Sequence, residues 1–83
     1  MYSLVLSRRF DRDFSKLDKD VRDRVVEKLR EISDDPRIGK PLRGKLRGLH
    51  SARVGDYRIV YQVFDEKRVV AAVTVGHRKA VYG

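Results

Sequence analysis

Two arginines flank a short turn in the C-terminal half of the chain, and their side chains are suited to phosphate chemistry. Gly55 in Val54-Gly55-Asp56-Tyr57 favours a two-residue type II′ hairpin, in which Arg53 faces Arg58. Two like charges directly opposite each other destabilise a sheet unless something compensates them. A guanidinium group binds phosphate through its planar fork and stays charged when it is partly desolvated. We therefore predict that this pair binds phosphate; a solvated basic face that only keeps the protein soluble is the alternative.

A third arginine follows the last predicted strand. A turn at residues 65–67 folds that strand back beside Arg58, which then lies opposite Val75 or Thr74. Arg78 would lie within roughly 10–15 Å of Arg58, at about 3.3 Å per residue. Three guanidinium groups around one phosphate could bind it and stabilise the negative charge that develops during phosphoryl transfer. The sequence thus predicts an anion site built from three arginines at one end of a sheet.

The residues that could move protons are fewer. His50 and His77 are the only histidines, and His77 adjoins Arg78. Neighbouring arginines favour the neutral form of histidine, which is the form that a general base needs. Tyr82 could ionise more easily beside these cations or stack on a base, but a terminal tyrosine could also simply cover a sheet edge. We assign His50 little functional weight, and two histidines without carboxylate or thiol ligands make a weak metal site, so no metal or cofactor is predicted.

The positive charge of the chain is concentrated around these arginines. Residues 1–36 carry nine Lys/Arg and nine Asp/Glu, whereas residues 37–83 carry eleven and three, so the net charge of +8 arises in the second part. This asymmetry favours a nucleic-acid partner, and no basic amphipathic helix carries the excess to a membrane surface. Lys45 and Arg47 would extend the patch along the preceding strand. The predicted RNA-binding residues are Lys45, Arg47, Arg53 and Lys79.

The remaining elements must position this basic end. The 83 residues are expected to form one domain, without disulfides because there is no cysteine. Apolar residues at helical spacing predict two helices, one capped by Ser7 and one that starts at Asp18 and stops before Pro36. Predicted strands are Tyr2–Leu6, Leu46–Val54, Tyr57–Phe64 and Arg68–Val75. The predicted fold is α+β in the order βααβββ, with two N-terminal helices packed on a small antiparallel-rich sheet. No signal peptide or membrane span is predicted, so a cytoplasmic protein is expected.

Two segments, GDYRIVYQV at 55–63 and VGHRKAVY at 75–82, resemble the RelE branch of the RelE/ParE toxin superfamily. The upstream PLRG at 41–44 and LRGL at 46–49 also fit, so the resemblance covers nearly the whole chain. It implies a toxin of a type II toxin–antitoxin pair that cleaves messenger RNA in the ribosomal A site by attack of the ribose 2′-hydroxyl, without a metal. It also implies a RelB-like antitoxin partner that is acidic or wraps the toxin with an extended segment.

The resemblance assigns roles to individual residues. Arg58 matches the arginine that holds the scissile phosphate, and Arg78 matches the one that stabilises the transition state. Tyr82 falls at the C-terminal tyrosine, which positions the substrate or transfers a proton.

One departure concerns the strand before the hairpin, where the family usually carries basic residues. This chain has Leu49 and Ser51 there. Their work would fall to Arg53, to Lys45 and Arg47 after a slip of register, or to His77 as proton acceptor.

Two other functions stay open at this point. A ParE-like toxin would inhibit DNA gyrase without RNA chemistry, and a supercoiling assay would reveal it. A non-catalytic basic module would bind RNA without cutting it.

Overall fold

The computed structural model describes residues 1–77 of the chain. Within them the polypeptide forms two α-helices, five strands and two single-turn 3-10 helices. The α-helices are Arg8–Ser15 (α1) and Lys19–Asp34 (α2), and the strands are Ser3–Leu6 (β1), Lys40–Pro41 (β2), Leu49–Val54 (β3), Tyr57–Phe64 (β4) and Val69–His77 (β5). The 3-10 helices are Pro36–Ile38 and Gly44–Leu46.

The strands form one sheet in the order β1-β5-β4-β3-β2. β1 runs parallel to β5, and the other neighbouring pairs are antiparallel. The predicted α+β class, with two N-terminal helices on an antiparallel-rich sheet, is therefore confirmed. The almost wholly apolar β5 lies between β1 and β4, the interior position that its composition predicts.

Both helices begin where their capping residues predict. The hydroxyl of Ser7 accepts a hydrogen bond of 2.9 Å from the backbone N–H of Phe10, and the rings of Phe10 and Phe14 stack at 5.8 Å. Asp18 precedes α2, although its side chain makes no capping hydrogen bond. The helix ends two residues before Pro36, as the restriction on residues preceding proline requires.

One face of the sheet packs against the helices and forms the core. The helices contribute Phe10, Val25, Leu29 and Ile32, and the sheet contributes Ala52, Val54, Ile59, Tyr61, Val70, Ala72 and Val75. Truncation of a fully buried isoleucine such as Ile32 to alanine would cost about 2–5 kcal/mol. Because side chains alternate along a strand, the residues between these core positions face away from the core. That second face carries the arginine pair.

The strand before the hairpin is shorter than predicted. It begins at Leu49 rather than Leu46, because Gly44–Leu46 form a 3-10 helix. The backbone N–H of Arg47 bonds within this turn at 3.1 Å and not in the sheet. The prediction that Lys45 and Arg47 lie on a strand is therefore wrong; both are exposed in the connection that precedes it.

The turn between β4 and β5 is one residue longer than predicted. It spans residues 65–68, because Phe64 pairs with Val69 and Arg68 adopts a positive φ of 52°. β5 accordingly begins at Val69 rather than Arg68, and it continues to His77.

The β4–β5 pair contains a bulge that the sequence does not reveal. Tyr61 pairs with Ala72, but its neighbour Val60 pairs with Thr74, so Val73 is an extra residue in β5. The carbonyl of Val73 accepts a hydrogen bond of 2.7 Å from the hydroxyl of Ser7. The cap of α1 thus satisfies a backbone group at the irregularity.

The bulge changes what lies beside the arginine pair. Arg58 pairs with Gly76, and not with Val75 or Thr74 as predicted. Since glycine has no side chain, β5 places no side chain directly opposite Arg58 on this face of the sheet.

Candidate nucleic-acid interface

The β3–β4 hairpin places the two arginines side by side. Val54 pairs with Tyr57, and Arg53 pairs with Arg58, as the two-residue loop predicts. Gly55 has a φ of 59°, whereas Asp56 is not among the non-glycine residues of positive φ, so the turn has the type II′ pattern. A Cβ at Gly55 would also lie 3.0 Å from the guanidinium of Arg24. Glycine is therefore favoured here by the positive φ of the turn, whereas the end of the flexible Arg24 side chain can shift to make room for a Cβ.

The two arginines have different surroundings. The Nε of Arg53 donates to the carbonyl of Gly55 at 3.2 Å, and the rest of this exposed side chain meets solvent. Arg58 is half-buried, and its Nε is shielded from solvent. Electrostatic attraction is stronger where water is partly excluded. Arg58 is therefore suited to bind an anion tightly, and Arg53 to attract it.

A groove of about 550 Å³ opens beside this pair. It lies between α2 and the strands β2 and β3, and its lining residues are Lys28, Glu31, Ile38–Pro41, Ser51–Arg53 and Arg58. Lys28 and Glu31 form an ion pair at 3.5 Å, so their charges largely cancel. The other charged side chains in the lining, Lys40, Arg53 and Arg58, are all basic. The groove can therefore take a polyanion.

The segment that forms the edge of this groove is held by Tyr61. Its hydroxyl donates to the carbonyl of Pro36 at 2.7 Å and accepts from the N–H of Gly39 at 3.1 Å. Burial raises the pKa of this hydroxyl, and nearby Asp35 raises it further, while the hydrogen bond from Gly39 opposes the shift. Tyr61 therefore stays a neutral hydrogen-bonding group at ordinary pH and fixes residues 36–39.

His77 lies on the other face of the sheet from Arg58. It pairs with Tyr57, and the two rings meet edge to face at 5.8 Å between centroids. Tyr57 packs against the core, whereas Arg58, the next residue, points the opposite way. The structure thus brings Arg53 and Arg58 together but does not bring His77 to that face.

The other predicted site residues divide into two groups. Lys45 and Arg47 are exposed in and just after the 3-10 helix Gly44–Leu46. Arg78, Lys79 and Tyr82 lie outside the described residues. His50 is half-buried and stacks on Tyr61 at 5.4 Å on the core side, away from the arginine pair.

Lys40 is a basic residue of the groove that the sequence did not predict. It lies on β2, which is only two residues long and pairs Lys40 with Ser51. Two residues are too few to display the alternation that marks a strand. The only local signal is the pair Gly39 and Pro41 on either side, which equally suits a loop.

Within residues 1–77 the structure holds no group of three or more His, Cys, Asp or Glu side chains that could bind a metal ion. No helix in this part of the chain is long and apolar enough to cross a membrane.

The sequence matches a known protein family. Residues 4–82 match the family model described as the ParE toxin of type II toxin–antitoxin systems, parDE. The chain belongs to this toxin family. Nearly all of the sequence takes part in the match, so the arginine hairpin, the groove and the helices all lie inside the matched region.

The toxin is similar to proteins named RelE. It is 39% identical over 83 residues to the mRNA interferase toxin RelE of Escherichia coli K12, covering 94% of the chain and 84% of that protein. It is 47% identical over 51 residues to Toxin RelE of Mycobacterium tuberculosis, covering 61% of the chain; the match spans about half of that relative, 53%. The toxin–antitoxin complex RelBE2 of Mycobacterium tuberculosis gives a TM-score of 0.86 at 39% identity, covering 93% of the toxin and 91% of that chain. The resemblance to the RelE branch is thereby confirmed.

Proposed function

We propose that this toxin is a metal-independent endoribonuclease that acts in the cytoplasm on messenger RNA held by the ribosome. The observation that carries the proposal is the Arg53–Arg58 pair, which lies on the sheet face opposite the helical core and borders a basic groove. The similarity to a protein named mRNA interferase supports the choice of RNA as substrate. The same similarity disfavours gyrase inhibition as the activity.

In the proposed reaction, the 2′-hydroxyl oxygen of a ribose attacks the adjacent phosphorus atom. The bond from phosphorus to the 5′ oxygen of the next nucleotide breaks, leaving a 2′,3′-cyclic phosphate and a 5′-hydroxyl. The attacking hydroxyl gives a proton to a base, and the leaving oxygen takes one up. Negative charge grows on the phosphate oxygens during this step, and fixed guanidinium groups stabilise it.

The roles that we propose follow from this chemistry. Arg58 holds the scissile phosphate, and its half-buried position strengthens that contact. Arg78 stabilises the developing charge, and Tyr82 positions the substrate or transfers a proton; both assignments rest on the resemblance. The assignment of His77 as the general base remains a prediction. Its place beside Tyr57 argues against direct proton transfer from a substrate that is bound at Arg58.

The partner that we propose is a RelB-type antitoxin. The similar chain in the RelBE2 structure belongs to a toxin–antitoxin complex. A basic groove on this toxin favours an acidic partner segment, because complementary potentials steer association and select partners. Occupation of the groove by that segment would exclude RNA from Arg53 and Arg58.

Primer extension on messenger RNA from translating ribosomes, after addition of antitoxin-free toxin, tests the activity. We expect discrete cuts in the A site, with cyclic phosphate at the 3′ ends of the upstream fragments. Because chelators damage ribosomes, independence from metal is checked on isolated RNA or with polyamines replacing magnesium. If properly folded toxin makes no cuts, the ribonuclease proposal fails. A supercoiling assay and an RNA-binding assay then separate gyrase inhibition from a non-catalytic binding module.

A further inference from the structure

β2 places a lysine on the arginine face of the sheet. Lys40 pairs with Ser51, and directly paired residues of antiparallel strands project to the same face. Arg53 lies two residues beyond Ser51 and therefore shares that face. Diagonal neighbours across two strands lie about 7–8 Å apart. Lys40 and Arg53 thus stand next to each other along one side of the groove that they both line.

The charge of Lys40 is not balanced by an acidic residue in the part of the chain that the structure describes. The five ion pairs within residues 1–77 do not include it. Lys28, the other lysine of the groove, is by contrast paired with Glu31. Lys40 is exposed and stands beside a pair of arginines. Like charges collected in this way repel one another, and an anion bound among them removes that cost.

The backbone that carries Lys40 is rigidly held. Its neighbour Gly39 donates to the buried hydroxyl of Tyr61, and that hydroxyl occupies the space that a Cβ at Gly39 would need. On the other side, the N–H of Leu42 donates to the carbonyl of Leu49 at 2.9 Å. Such support on both sides reduces the ordering cost of binding, because the attachment point of the lysine is already fixed.

Ser51, the partner of Lys40, cannot supply the contact itself. Ser51 as a whole is 5% exposed, and its hydroxyl is buried without a hydrogen-bond partner in residues 1–77. The polar group that reaches solvent from this row of the sheet is therefore the ammonium group of Lys40.

We propose that Lys40 is a substrate-binding residue that contacts an RNA-backbone phosphate next to the one held by Arg53 and Arg58. The groove then binds two phosphates of one strand, with the arginine pair at the reacting one and Lys40 at its neighbour. A lysine suits this second position, because its ammonium group binds phosphate as a point charge and needs no fixed orientation. This inference rests on the proposed ribonuclease function and adds a subsite to it.

The test compares Lys40→Ala with Lys67→Ala in the full-length toxin. Lys67 is exposed in the turn between β4 and β5 and is not among the residues that line the groove, so its replacement removes the same charge outside the lining. Binding of a labelled single-stranded RNA of about ten nucleotides is measured against salt concentration. Loss of one phosphate contact should reduce the log–log salt slope by about 0.7 in Lys40→Ala. Lys67→Ala should keep the slope of the wild type.

Cleavage on ribosomes provides the second readout. Lys40→Ala should lower kcat/KM about tenfold, mainly through KM, because a charged contact to the substrate is lost away from the reacting bond. Lys40→Arg keeps the charge and should retain both the slope and the cleavage rate. Thermal unfolding of each variant establishes that the fold is intact.

The outcomes separate this inference from the proposed function. If Lys40→Ala and Lys67→Ala have the same salt slope and the same kcat/KM while the wild type cuts RNA, Lys40 is not a subsite and the ribonuclease stands. If the wild type makes no cuts, the proposed function fails. The slopes of the two alanine variants then still decide whether the groove binds a second phosphate.

Discussion

The two ends of the β4–β5 strand pair both carry arginines, but the arginines are used differently. At the turn end, Arg68 lies over the ring of Tyr2 at 5.4 Å, and Arg37 lies 3.8 Å from Asp65. The hydroxyl of Tyr2 donates to the same carboxylate at 2.7 Å. Each of these cations contacts another side chain of the protein, and the contacts join the segment before β1 and the segment after α2 to the turn. We call residues 2, 37, 65 and 68 the turn cluster.

At the other end, the cations face a groove. Arg53 bonds to a backbone carbonyl, and neither Arg53 nor Lys40 takes part in the ion pairs found within residues 1–77. We call Lys40, Arg53 and Arg58 the groove cluster. The number of arginines therefore does not identify a binding site. A site is indicated where cations gather on one rigid surface beside a groove.

Among substitutions in the two clusters, we expect the largest effect from a change at Arg58. Arg58→Ala should lower kcat/KM for cleavage by about 100-fold to 1000-fold, the usual cost of removing one fixed donor that stabilises developing charge. In the turn cluster, Arg68→Asn should leave cleavage within about twofold of the wild type, and asparagine tolerates the positive φ at that position. Primer extension on ribosomes measures both variants. Equal losses in the two would mean that the ends of the sheet do not differ in function.

Whether a feature of the groove cluster can be predicted from the sequence depends on how far apart in the chain the contacting residues lie. The Arg53–Arg58 pairing follows from four consecutive residues, because a glycine at the first turn position defines both the turn and the register. The bulge at Val73 is contacted by Ser7, which is 66 residues away, and the apolar run of β5 shows no alternation that a shift could interrupt. Local patterns do not contain such contacts.

The position of Lys40 in the groove is not predictable from the sequence for a related reason. Its position depends on the hydroxyl of Tyr61, which reaches across the sheet to Pro36 and Gly39. In the sequence, Tyr61 is a strand residue that could be buried or exposed, and nothing there shows that its hydroxyl is buried. The fold class was predictable from local patterns, whereas the composition of the groove required tertiary contacts.

A smaller effect, on the free energy of unfolding, is expected from the tyrosine that lies beside each cluster. Tyr61→Phe removes a hydroxyl that is buried and bonded at both its donor and acceptor sides, so two backbone groups lose their partner. We expect a loss of about 1–3 kcal/mol in the free energy of unfolding, measured by urea denaturation. Tyr2→Phe removes a solvent-exposed hydrogen bond and should cause no measurable change. A larger loss in Tyr2→Phe would contradict the view that only the groove end depends on a buried tyrosine.

The same tyrosine makes stability depend on pH in the alkaline range. Burial raises the pKa of Tyr61 above the ordinary value of 10.0, which the unfolded chain retains. Its contribution to stability is therefore fully present below pH 10.0 and is lost as the pH rises through the higher folded value. Urea denaturation from about pH 9 upward should show a steeper decline for the wild type than for Tyr61→Phe. Parallel declines would mean that Tyr61 does not control this range.

The smallest expected effect is at Asp65 in the turn cluster. Asp65→Asn keeps an oxygen that can accept from Tyr2 and removes only the charge that attracts Arg37. Because both partners of this ion pair are more than half exposed, at 75% and 58%, the loss should be about 0.5 kcal/mol or less.

Asp65→Asn also raises the net charge of the protein by one. It therefore tests whether RNA binding responds to the groove cluster or to the total charge. Seven residues of extended strand separate Asp65 from Arg58, about 23 Å at ~3.3 Å per residue. That distance exceeds the Debye length of about 8–10 Å near physiological salt, so the change in charge should be screened from a phosphate held at Arg58. We expect the salt slope of RNA binding to equal that of the wild type. An increase in slope comparable to the decrease caused by Lys40→Ala would mean that RNA senses the total charge of the protein, and the distinction between the two clusters would have to be abandoned.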